Sequence, residues 1–161
     1  MRVKFADACL SGDAITVQQY LPDHPDFATT PVPNDWHAYH IMRRGRQPVD
    51  HSLNPGVMNA SGTVYLRATY PAYPLHLAAG NGHETVVALL LAAKAPVEAG
   101  DGDGDTALTW ATWCARRSVM ERLMVAGADT SFADQITIQA FKGTKGDGAS
   151  LKYLKDKRNT A

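Results

Sequence analysis

The stretch from Tyr73 to Ala99, YPLHLAAGNGHETVVALLLAAKAPVEA, decides how this chain folds. Ala78 and Ala79 are small enough to let two helices approach closely, and Asn81-Gly82 supplies a tight turn. Val86, Val87, Leu89, Leu90 and Leu91 then form an apolar stripe at helical spacing. The expected unit is a helix, a turn and a longer helix. Residues 106–134, TALTWATWCARRSVMERLMVAGADTSFAD, repeat it. Pro74 aligns with Ala107, Leu75 with Leu108, Leu77 with Trp110, Ala78 with Ala111, Leu90 with Leu123 and Ala95 with Ala128, every pair 33 residues apart. In this second copy Val119, Met120, Leu123 and Met124 make the inner stripe, and Gly127 is the expected left-handed end of the helix. A period of this length signals stacked supersecondary units, each too small to bury its apolar face alone.

These residues resemble ankyrin repeats, whose pattern runs through T-P-L-H-x-A-A, then G-H, V-V-x-L-L-L and G-A-D. The first copy follows it closely; the second keeps Thr106-Ala107-Leu108 and Ala126-Gly127-Ala128-Asp129 but lacks the Gly-His turn. Clear resemblance covers residues 70–133. A weaker copy lies upstream, where Ala8, Gly12, Val17, Tyr20 and Leu21 imitate Ala78, Gly82, Val87, Leu90 and Leu91 at an offset of 70. The resemblance implies an all-α solenoid of three to four stacked helix pairs in a single domain. Its expected parts are a divergent N-terminal repeat at 3–21, an insertion at 22–72, repeats at 73–100 and 101–133, and a degenerate C-terminal cap at 134–157.

The insertion is the main departure from the family pattern. Pro22-Asp23-His24-Pro25 and Asn54-Pro55-Gly56 are turn chemistry. Between them Asn34 is positioned to cap a short helix over Asp35 to Arg44, and Thr63 to Tyr70 alternates as a short strand does. A structureless loop of this length is uncommon in a compact domain, so partial order is expected. Beyond Asp134 three glycines, Gly143, Gly146 and Gly148, weaken the closing unit.

Composition narrows the function classes. Apolar residues make up 45% and charged residues 20% of the 161 positions, the balance of a globular chain with a core. Sixteen basic residues offset sixteen acidic ones, which removes the general electrostatic attraction that nucleic-acid binding draws on. No nucleic-acid partner is expected. The longest apolar stretch, Val86 to Ala93, falls far short of the about 20 residues a bilayer crossing needs, and Asp7 and Asp13 interrupt any signal core. No membrane association is expected. The two cysteines, Cys9 and Cys114, sit in helical patterns without C-x-x-C spacing, in keeping with a reducing, cytoplasmic setting.

Candidate chemistry is sparse. Asp101, Asp103 and Asp105 alternate like the start of a calcium loop, yet Thr106 and Thr112 stand where glycine and a bidentate glutamate are needed. A tight turn between repeats explains the same residues. His37 and His40 with His51 could share a metal, which would give the insertion a metal-dependent or enzymatic role; polar residues of a loop are the plainer reading, and no metal or cofactor is expected. Resemblance makes His76 and His83 structural, bonded to backbone groups that hold adjacent units in register. Cys114 lies beside Arg116 and Arg117 but has no base, so no catalytic nucleophile is assigned.

The expected function is therefore non-enzymatic: a module, monomeric when free, that binds a partner protein as an inhibitor, immunity protein or adaptor. Carrying the family's concave groove onto this sequence lines it with Thr69, Tyr70, Ala72, Gly80 and Asn81 in one unit and Gly102, Asp103, Asp105, Trp113 and Cys114 in the next. Trp110, replacing Leu77, belongs in the core; Trp113, replacing Gly80, belongs in the groove as the expected anchor unless the insertion folds over it. Trp36, Tyr39, His40 and Arg43 share one helix face, either as a second contact surface or as the contact that docks the insertion. A third possibility is a structural protein that oligomerises through an open repeat end.

Overall fold

A computed structural model describes residues 1–32, 56–58, 64–66, 71–102, 104–114 and 116–131, with Trp113 and the strand residues described by their backbone. Three helix pairs stack in it. The first is α1 (Arg2–Ser11) with α2 (Ala14–Tyr20), followed by the short α3 (Asp26–Thr29). The second is α4 (Pro74–Asn81) with α5 (Glu84–Ala92), and the third α6 (Ala107–Trp113) with α7 (Arg117–Val125). The leading helices α1, α4 and α6 form one layer and the following helices α2, α5 and α7 the other.

Each turn inside a pair has a local cause. Gly12 and Gly82 end α1 and α4 at φ 83 and 78, where a side chain is disfavoured. Asp13 then starts α2 by accepting the Thr16 amide at 3.0 Å, and Pro74 starts α4 at a position that has no amide to lose. Packing between layers follows the 33-residue pattern. Leu75, Leu77, Val86, Val87 and Leu90 are buried in the second pair, and Leu108, Trp110, Val119, Met120 and Leu123 in the third. Full burial of one such aliphatic side chain stabilises by about 1.5–3 kcal/mol before entropy is counted. The buried alanines, Ala78, Ala79 and Ala111, let α1, α4 and α6 lie side by side.

The upstream copy is a true helix pair despite its irregular offset. Phe5, Cys9 and Val17 join its core, and Phe27 of α3 packs on Phe5 with ring centroids 5.4 Å apart while His24 stacks on Phe27 at 4.6 Å. Of the segment that begins at residue 22, the part up to Val32 thus packs with the first pair. The Val32 amide donates to the Ala72 carbonyl at 2.8 Å, and both residues are buried. The two ends of the segment 33–71 are therefore held side by side. Within it, β1 (Gly56–Met58) pairs antiparallel with β2 (Val64–Leu66), Val57 opposite Tyr65. The strand expected over Thr63 to Tyr70 is present in this shorter form; its partner begins at Gly56, which the sequence reading treats as a turn. The expected helix at 35–44 and the cap at 134–157 lie outside the described residues.

Candidate partner-binding face

The turn that joins the second pair to the third is built around Asp101. Its carboxylate accepts the Asp105 amide at 2.9 Å on one oxygen and the Trp110 indole N–H at 3.1 Å on the other. Its own amide donates to the Asp105 carbonyl at 2.9 Å, closing the turn, and Gly104 adds a bond from its amide to the Asp101 carbonyl. The Asp105 carbonyl also accepts from His76 Nε2 at 2.8 Å, while His76 Nδ1 accepts the Tyr73 amide at 3.2 Å. Those two bonds require the neutral ring with its proton on Nε2. Burial holds the His76 pKa below its ordinary value, although the Asp105 carbonyl and the nearby Asp101 charge pull the other way.

These bonds correct part of the expected groove. Asp105 is only 7% exposed, because its backbone is tied to Asp101 on one side and to His76 on the other. It is a structural residue of the turn and does not present its side chain as a contact. Ala72 and Gly80 are buried as well and offer no surface. The carboxylate pattern that resembles a calcium loop is explained the same way, since Asp101 spends both oxygens on protein donors.

Neighbouring pairs are joined by side chains that cross from one unit to the last. His83 Nε2 donates to the Leu10 carbonyl at 2.9 Å, with its ring lying where a Cβ on Gly12 would sit. Arg116, 33 residues later, donates from Nε to the Gly80 carbonyl at 3.1 Å and lays its stem over Gly82. In the sequence alone Arg116 stands out only as a charge near Cys114. The signal that reveals it is the spacing from His83.

A family model described as ankyrin repeats (3 copies) matches residues 50–134, just over half of the chain. The chain is an ankyrin-repeat protein. A search of curated proteins finds no match. Ankyrin repeats make it a protein–protein interaction module, with its helices arranged as the family resemblance implies.

In ankyrin terms Asn81 and Trp113 end the leading helices of successive repeats. Asn81 is half-buried and donates from Nδ2 to the Leu77 carbonyl at 2.8 Å, so its amide partly closes α4. Trp113 is the last residue of α6, in the place that Gly80 holds in α4. Cys114 follows it, half-buried, its thiol pushed up to about 11 by burial against the opposing charge of Arg116. Such a thiol is protonated at neutral pH and is a poor nucleophile. Tyr70, Asp103, Trp36, Tyr39 and Arg43 lie outside the described residues, as do His37, His40 and His51. Among the described residues no three His, Cys, Asp or Glu side chains gather as a metal site, and no helix is long and apolar enough to cross a membrane.

Proposed function

We propose that this ankyrin-repeat domain grips a partner protein on the face formed by the ends of its leading helices, with Trp113 as anchor and Asn81 beside it, and acts by masking or recruiting that partner. The observation that carries the reading is the contrast between Gly80 and Trp113. Both hold equivalent positions in the last turn of a leading helix, yet the first is a buried glycine and the second a tryptophan. Stacking does not require an indole there, since the second repeat stacks without one, whereas tryptophan is the residue type most enriched among binding anchors. Asp103 and Tyr70, with the Trp36, Tyr39 and Arg43 stripe, extend this proposed surface into the inter-repeat turn and the insertion.

A formal charge of zero favours a protein partner over nucleic acid or a membrane surface, and two cysteines without a disulfide favour a reducing, cytoplasmic setting. The free chain is read as a monomer without catalytic activity of its own. The test is affinity capture from native cell extract read by mass spectrometry, comparing the full chain with Trp113→Ala and Asn81→Ala. A protein retained by the parent chain and lost with Trp113→Ala, at unchanged melting temperature, supports the reading. Capture that is the same for all three chains overturns the assignment of the face.

A further inference from the structure

We infer that Arg116 gives this face a carboxylate-reading contact, so that the partner docks an acidic side chain beside Trp113. The inference rests on the binding-face reading above and adds the chemistry of the group recognised. In the preceding repeat the equivalent residue is His83, which spends Nε2 on the Leu10 carbonyl. Arginine at position 116 makes the matching bond with Nε alone. Among the described residues its two terminal nitrogens make no hydrogen bond or ion pair, while the Arg122 guanidinium is paired with Glu84. Arg116 is half-buried, its stem held on Gly82, so the position of the guanidinium is fixed before any ligand arrives. A planar fork of N–H donors with one edge anchored to backbone and the other unused matches the two oxygens of a carboxylate. A stacking role alone is met by histidine, as the preceding repeat demonstrates.

That comparison also separates the two roles experimentally. Arg116→His keeps a ring nitrogen for the Gly80 carbonyl and removes the unused donors. The full chain is titrated with the tripeptide Glu-Glu-Glu at low salt, with Lys-Lys-Lys as control, following the arginine Nε–Hε signals by NMR. The expected result is a saturable shift of the Arg116 signal with Glu-Glu-Glu only, and at least fivefold weaker binding to Arg116→His, read from the Gly82 and Trp113 amides, at a melting temperature near that of the parent. Absence of a saturable shift, equal binding by Arg116→His, or shifts confined to Arg117 and Arg122 would each overturn the inference. Its failure leaves the Trp113→Ala capture experiment untouched, so the two readings fall separately.

Discussion

His83 and Arg116 do the same work one repeat apart: each reaches back to a carbonyl at the end of the preceding leading helix, at 2.9 and 3.1 Å, and each covers the glycine that ends that helix. Histidine and arginine are not interchangeable by shape. They converge here because each can place one N–H about 3 Å from the same kind of acceptor while its remaining atoms lie flat on a residue without a Cβ. A carbonyl near a helix end that loses such a donor is left to water at the seam between units.

Removing either crossing bond should loosen one seam and leave the other intact. His83→Ala and Arg116→Ala are each expected to cost about 1–2 kcal/mol, measured by chemical denaturation. The two losses should add to within about 0.5 kcal/mol, since the seams share no partner. Gly12→Ala should cost more than His83→Ala, because it strains a backbone at φ 83 and drives a Cβ into the imidazole.

Acid should destabilise the fold through His76. Its folded pKa lies below the ordinary 6.5, so the unfolded chain takes up the proton first as pH falls. The contribution is fully present above that value and is lost progressively below it. Stability measured by denaturation should fall below pH 6.5 with a slope of up to about 1.4 kcal/mol per pH unit from this residue. A His76→Gln chain, less stable throughout, should have the shallower slope; equal slopes would assign the pH dependence elsewhere.

Trp110 should prove the structural tryptophan. It is 1% exposed and donates to Asp101, so Trp110→Ala removes a large core side chain and the indole bond to that buried carboxylate. A loss of about 3–5 kcal/mol is expected, enough to unfold a marginal domain. Trp110→Phe keeps most of the volume and should cost about 1–3 kcal/mol, the value set by loss of the indole bond to Asp101.

The thiols should be silent in the folded chain. Burial raises Cys9 and Cys114 alike, Cys114 to about 11, so at pH 8 neither carries appreciable thiolate. A disulfide-exchange reagent should label Cys114 much more slowly than an unfolded cysteine and Cys9 only as the protein unfolds. Fast labelling of Cys114 would contradict its burial.

The backbone bond between Val32 and Ala72 brings together the two ends of residues 33–71, whose strand β2 lies against α4. Because the two backbones are hydrogen-bonded, a linker of a few residues closes the gap left by deleting 33–71 at little entropic cost. Such a chain should keep the helical signal of the stack by circular dichroism but melt at a lower temperature, because it loses the contact of β2 with α4.

Much of the stack is legible in the sequence because its cause is periodic. Buried positions of one repeat recur 33 residues later, and Leu77 and Trp110 could be read as core from their alignment alone. The glycine turn at Asn81-Gly82 is equally local, a matter of which residue tolerates positive φ. Contacts between units are a different matter. Asp105 looks like an exposed acidic turn residue in the sequence and is buried in the fold, because His76, 29 positions earlier, takes its carbonyl. Arg116 reads as a surface charge until the stack brings Gly80 beneath it. The sequence by itself determined the repeat, its helices and its core, since these follow from side-chain size and spacing along one segment. Only the tertiary structure decided which polar residues are spent on holding repeats together, because that depends on atoms brought into register from different repeats.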